Sequence, residues 1–282
     1  MATVGEALRL GGAALAAAGV ESATADAEWL LADVLGLSRG ALALERGRPL
    51  AAPHDARYAR ALRRRMSREP LQHIVGTQAF RGLTVRVGPE ALVPRPETEV
   101  LVEWALEFLP RAAASLVLDV GTGTGCVACA IAAERPRARV LALEVSPVAA
   151  ALARANVAAL GLANVTIVAS DLFAGLGRIA ADLIVANPPY LPSALLATLA
   201  PEVSRFDPPQ ALDGGADGLA VLGRIATEAP ARLAAGGRLV LETAGGAQAA
   251  AVAALLRAAG LVDVQARRDL GGVERFVAGR AA

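Results

Sequence analysis

Leu116-Val117-Leu118-Asp119-Val120-Gly121-Thr122-Gly123-Thr124-Gly125 decides the fold of this chain. Five residues of strand composition run into three glycines at alternate positions, and an apolar stretch of helical composition follows from Cys126 to about 135. Outward from this unit the alternation continues. Segment 139–144 reads as a strand and 147–160 as a helix; 165–169, 183–186, 238–242, 262–267 and 274–278 read as further strands, with helices near 216–234 and 247–259. Apolar strands alternating with helices predict an α/β fold, a doubly wound and mostly parallel sheet with helices on both faces. The last two strands have no helix between them, so the final one is expected to run in reverse.

Upstream the character changes. Val4, Ala7, Leu8 and Leu15 fall on one helical face. Ser22 is placed to cap a second helix carrying Trp29, Leu30, Leu31, Val34 and Leu35, which stops near Gly36. A third helix follows Ser38 and ends by Gly47, and Pro53 opens a fourth through Arg57, Tyr58, Leu62 and Met66. Within 74–87, Phe80-Arg81-Gly82-Leu83-Thr84-Val85-Arg86-Val87 reads as a hairpin around a glycine turn, and a helix over 97–109 follows Pro94 and Pro96. The expected organisation is a small helical bundle (1–72), a β-hairpin linker (73–95) and the α/β domain (96–282).

The chain has 282 residues, ample for a real core, and 28 basic against 27 acidic groups. A net charge of +1 argues against a nucleic-acid coat or a polybasic membrane binder. Every basic residue is Arg, which excludes Schiff-base lysine chemistry and the lysine-bearing phosphate loop of ATPases. Two cysteines make no disulfide framework, so a reducing cytoplasm is expected. The longest uncharged stretch, 183–201, is interrupted by Pro188, Pro189, Pro192 and Pro201 and does not read as a membrane span. Residues 10–20 are uncharged and Ala23-Thr24-Ala25 mimics a signal-peptidase site. Glu6 beside Arg9 leaves no positive excess, however, and the segment reads as an ordinary first helix.

Four motifs carry chemistry. The first is Gly121-Thr122-Gly123-Thr124-Gly125, where glycine lets the backbone turn tightly and approach a ligand. A dinucleotide fingerprint would need glycine at Cys126; the spacing present suits a nucleoside with an amino-acid tail, such as S-adenosylmethionine, and also a plain structural turn. The second is Glu144, 23 residues beyond Gly121, which can accept from both ribose hydroxyls or stand as a solvated strand-end carboxylate. The third is Ser170-Asp171-Leu172-Phe173, in which Asp171 can accept from an adenine amino group with Leu172 near the ring, or merely cap a turn.

The fourth is Asn187-Pro188-Pro189-Tyr190. Two prolines freeze the backbone and leave carbonyls with no competing local N–H. With the Asn187 side-chain carbonyl they form two acceptors at fixed separation, suited to the two N–H donors of a planar –NH2, and Tyr190 offers a face to pack on it. An amide or exocyclic nitrogen is a poor nucleophile because its lone pair is delocalised. Gripping both hydrogens aims that lone pair at a methyl-sulfonium carbon, so catalysis is mainly positioning and electrostatics. Asn187 and Tyr190 are therefore the candidate catalytic residues.

Two constellations carry less. Cys126 and Cys129 have redox or zinc spacing, but the only histidines, His54 and His73, lie far upstream, so small packing residues and no metal are expected. Arg57, Arg60, Arg64 and Arg68, with Arg63 and Arg65 beside them, line a helical face that reads as solvated or as a surface for RNA or an acidic partner.

Together these residues resemble the release-factor glutamine methyltransferases of the HemK/PrmC type, over nearly the whole chain. Glu69-Pro70-Leu71-Gln72-His73-Ile74-Val75-Gly76 is similar to that family's domain junction, where Tyr is commoner than His73. Pro94-Arg95-Pro96-Glu97-Thr98-Glu99 resembles the entry to its catalytic domain, and Ala211-Leu212-Asp213-Gly214-Gly215 with Asp217-Gly218-Leu219 resembles a further segment. The resemblance implies methylation of the glutamine amide nitrogen in the Gly-Gly-Gln tripeptide of class I peptide chain release factors, docked by the helical domain. It implies that Gly121 to Gly125, Glu144, Leu172 and Asn187 contact S-adenosylmethionine while Asn187, Pro188, Pro189 and Tyr190 hold the glutamine. Glu144 stands where Asp is usual, Leu172 where some members have an aromatic ring, and Thr243-Ala244-Gly245-Gly246 departs from the usual Ile-Gly. Rival readings are a ribosomal-protein glutamine methyltransferase, an rRNA or DNA exocyclic-amine methyltransferase, and a non-catalytic donor-binding module. The expected enzyme is a cytoplasmic monomer with a protein substrate and no nucleic-acid or membrane partner.

Overall fold

The computed structural model describes residues 2–282 and divides into two compact units. The first runs up to Thr77 and includes Ala200–Phe206 from much later in the chain. Its helices are α1 (Val4–Ala17), α2 (Ala23–Leu35), α3 (Arg39–Leu44), α4 (Ala52–Met66) and α5 (Leu71–Val75). Thr3 and Glu6 form a reciprocal cap at the start of α1, each side chain accepting from the other's backbone N–H. Ser38 caps α3 through its hydroxyl, whereas Ser22 gives α2 no side-chain cap: its hydroxyl donates instead to Asp26 at 2.8 Å. Gly36 closes α2 in the left-handed conformation. Val4, Leu8, Leu30, Leu31, Leu42 and Tyr58 form the core of this bundle.

One ionic cluster crosses it. Arg65 and Asp26, 6% and 5% exposed, pair at 2.7 Å, and Arg65 also donates to Glu202 at 2.9 Å. Arg68 grips both oxygens of Glu202, at 2.7 and 2.8 Å. Burial alone would raise the Glu202 carboxyl, but the two guanidiniums outweigh it and hold the group down at about 2. Charge thus fastens the long-range segment.

The second unit begins at Gln78, one residue into β1 (Thr77–Phe80), which pairs with β2 (Leu83–Arg86) as a hairpin, and α6 (Pro96–Glu107) follows. Then come β3 (Leu116–Val120), α7 (Cys126–Glu134), β4 (Arg139–Glu144), α8 (Pro147–Ala159), β5 (Val165–Ala169) and β6 (Ala181–Ala186). The chain passes through α9 (Pro201–Ser204), part of the first unit, and returns as α10 (Ala220–Glu228), β7 (Leu233–Glu242), α11 (Ala247–Ala258), β8 (Val262–Arg268) and β9 (Glu274–Arg280). The seven-stranded sheet has the order β5-β4-β3-β6-β7-β9-β8. β3 to β7 are parallel and β9 is antiparallel to both neighbours, as the missing helix between β8 and β9 predicts.

The period-2 alternation of each strand feeds two cores. Val117, Leu183, Val185 and Val240 face one side with Leu101 of α6 and Ile131 of α7. Leu118, Val120, Ile184 and Leu239 face the other with Ile225 of α10 and Leu256 of α11. Both faces are covered, so the central strands are mostly apolar. Cys126 and Cys129 lie in this packing, their thiols pushed up to about 12 by burial, and no cluster of three or more metal-ligand residues occurs among the described residues.

Candidate active site

Register places the site. Val120 lies level with Leu143 on β4 and Ala186 on β6, and Glu144 lies level with Ala169 on β5. The loops after β3, β4, β5 and β6 therefore leave one edge of the sheet together. Strand order reverses there, with β4 and β5 on one side of β3 and β6 on the other. Open α/β sheets bind ligands in this crevice. A cleft of about 200 Å³ opens at it, lined by Gly121, Gly123, Glu144, Asp171, Leu172 and Asn187, with Pro188 and Pro189 beside them. Residues proposed from four separate motifs thus share one wall.

The glycine loop is braced from behind. The N–H groups of Gly121 and Thr122 both donate to the carbonyl of Leu143, at 2.9 and 3.0 Å. Gly121 has φ +72°, and a Cβ there would meet nothing within 4 Å, so bare backbone faces the cleft. Asp119, 1% exposed, accepts from the Thr122 hydroxyl at 2.5 Å and from the Ala128 N–H at 3.1 Å, tying loop to helix. Burial pushes this carboxyl up to about 7 against those two bonds. Thr122, Thr124 and Gly125 do not line the main cleft. The two threonines line an adjoining cavity of about 50 Å³ with Arg95, Thr98 and Asn187, and Gly125 caps α7 with φ +81°.

Glu144 is held at both oxygens, accepting from Gly123 N–H at 2.8 Å and Ser146 N–H at 2.9 Å. Each oxygen keeps a second lone pair for a ligand hydroxyl. Asp171 accepts from both terminal nitrogens of Arg224, at 3.1 and 3.0 Å, and both residues line the cleft. Leu172 sits at φ +47°, a left-handed conformation uncommon for a leucine.

Asn187 donates from Nδ2 to the Thr98 hydroxyl at 3.1 Å. Tyr190 does not line the cleft: its ring packs on the second core and its hydroxyl lies 3.5 Å from Glu242 Oε1. Burial pushes this phenol up to about 12, with the Glu242 carboxylate adding to the effect. The Tyr190 carbonyl accepts from Gln248 at 2.9 Å. Gly214 and Gly218 lie against the Tyr190 backbone, where a Cβ on Gly218 would run into the Tyr190 carbonyl. Sequence reasoning missed Glu242, Arg224 and Gln248 as parts of the site. Glu242 stood at a strand end like Glu144, the one signal available; Arg224 and Gln248 lie on ordinary helical stretches.

The fold and this crevice are those of a methyltransferase. Residues 98–198 match the family model described as the methyltransferase small domain, and residues 6–76 match that of the PrmC N-terminal domain. A methyltransferase from Pyrococcus furiosus shares the fold at TM-score 0.53 and 20% identity, over 71% of this chain and 89% of that one. The release factor glutamine methyltransferase of Geobacter sulfurreducens is 48% identical over 77% of this chain and 75% of its own. That of Deinococcus radiodurans is 47% identical over 84% and 83%. This chain belongs to the release factor glutamine methyltransferase family.

Proposed function

We propose that this chain transfers a methyl group from S-adenosylmethionine to the side-chain amide nitrogen of the glutamine in the Gly-Gly-Gln tripeptide of class I peptide chain release factors. The observation that carries the reading is the shared wall: the bare Gly121 backbone, Glu144 and the Asn187-Pro188-Pro189 turn line one cleft.

The residues present fit the donor. Gly121 and Gly123 supply backbone along the cleft, with open space where a Gly121 side chain would stand, and Glu144 supplies anchored acceptors for a ribose diol. Asp171 accepts an adenine amino group on the lone pairs that Arg224 leaves, and Leu172 packs beside the ring. When bound, the donor supplies an electrophilic methyl carbon on a sulfonium. Asn187 and the proline carbonyls accept the two amide hydrogens of the glutamine and turn its lone pair toward that carbon, while Tyr190 keeps the turn in place from behind. No base needs to act first, because the nitrogen becomes acidic only as it gains the methyl. The protein substrate, without nucleic acid, is favoured by a net charge of +1 and nine aromatic residues among 282, few for a base-stacking surface.

Purified enzyme, labelled donor and a release factor test this by mass spectrometry, with rRNA and ribosomal protein in parallel. A single methyl on the Gly-Gly-Gln glutamine is expected. Label only on rRNA or on ribosomal protein overturns it.

A further inference from the structure

The turn that grips the glutamine works only if the Asn187 amide faces the right way. Its two ends have nearly the same shape and opposite hydrogen-bonding character. With Oδ1 toward the cleft it accepts from the substrate –NH2; rotated by half a turn it would present donor to donor and repel the substrate. The turn's own backbone does not set this rotation, since both prolines restrain main chain only.

We propose that Thr98 is the positioning residue that fixes this rotation, by accepting from Asn187 Nδ2. The inference rests on the functional reading above. Thr98 is 2% exposed, in the first turn of α6, and its hydroxyl lies 3.1 Å from Asn187 Nδ2. A hydroxyl has one proton to give. Because Asn187 Nδ2 donates to this oxygen, that proton is directed away from Asn187, and the hydroxyl helps to hold down the carboxyl of Glu242, 1% exposed at the end of β7. The same carboxyl lies 3.5 Å from the Tyr190 hydroxyl. Glu242 thus stands at the Tyr190 end of the four-residue turn and Thr98 at its Asn187 end. Helix α6, strand β7 and the loop after β6 converge on this point from separate parts of the chain.

The test uses the full-length enzyme with a release factor and S-adenosylmethionine. Thr98→Val keeps the shape and removes the hydroxyl; Thr98→Ser keeps the hydroxyl. Thr98→Val is expected to lower kcat on the order of a hundredfold, the cost of a misplaced reacting group. Its KM for the donor and its Kd for S-adenosylhomocysteine should stay at wild-type values, and Thr98→Ser should restore most of the rate. Thr98→Ala provides a second hydroxyl-free variant should valine disturb folding, and the same loss is expected. Wild-type kcat in either hydroxyl-free variant, or a Thr98→Ser as slow as Thr98→Val with normal S-adenosylhomocysteine binding, overturns the inference and leaves the functional reading standing. A wild-type enzyme inert on the release factor overturns that reading itself.

Discussion

At the scale of single residues, the site is braced by groups that do not line the cleft. Gly218 has φ +76°, and its missing side chain leaves room for the Tyr190 carbonyl and Gln248. Gly218→Ala is expected to cost at least about 1 kcal/mol through left-handed strain alone, and more through the clash. A lower Tm together with a lower kcat checks it. Glu242 makes a pH prediction. Burial raises its carboxyl to about 7 from the ordinary 4.5, against the Thr98 hydroxyl and the Arg275 guanidinium. Below pH 4.5 the group is protonated folded or unfolded and costs nothing; above about 7 the folded state carries a buried carboxylate that the unfolded chain would solvate. Glu242→Gln should therefore raise Tm relative to wild type at pH 8, with the gain shrinking to nothing by pH 4. A pH-independent difference in thermal melts would refute this. The motif residues were legible in the sequence because glycine and proline spacing is local. Thr98 and Glu242 were not, since their role depends on α6 and β7 converging on the same loop.

At the scale of elements, α4 and α9 are joined by charge. Glu202 is depressed to about 2, so its pairing stabilises the fold above pH 4.5 and is lost as the pH falls toward 2. Glu202→Gln should melt earlier than wild type at pH 7, and the two should converge on acidification. Arg65→Met is expected to be costlier, about 3–5 kcal/mol, because it leaves Asp26 buried without its partner. Denaturant titration of the variant against wild type measures it. The Arg run of α4 showed the ambiguity of charge patterning. Arg64 pairs with Glu69, and Arg65 and Arg68 with Glu202, leaving Arg57, Arg60 and Arg63 exposed. From sequence all of them looked alike, because Glu202, the partner of Arg65 and Arg68, lies well over a hundred residues away.

At the scale of the whole molecule, each unit has its own core and the cleft-lining motifs belong to the second. We expect removal of residues 1–72 to raise KM for an intact release factor far more than KM for the donor, with S-adenosylhomocysteine binding as the check on folding. Equal changes in both constants would remove the docking role. The hairpin, the sheet and its reversed last strand were predictable from alternation and turn residues. The inclusion of Ala200–Phe206 with the first unit was not, since nothing in that short segment marks where it lies.

What the sequence alone determined is what short-range physics controls: which segments become strands and helices, where glycines bend the chain, and where two prolines stiffen the turn after Asn187. Periodicity and backbone restriction act over a few residues and leave a readable trace. What only the tertiary structure decided is the orientation of that grip. The strand order β5-β4-β3-β6-β7 brings four loops to one edge, and the arrival of Thr98 and Glu242 behind Asn187 and Tyr190 settles which hydrogen bonds they can make. Hydrogen-bond direction between residues distant in sequence depends on where the folded backbone places each partner, and no local pattern encodes it.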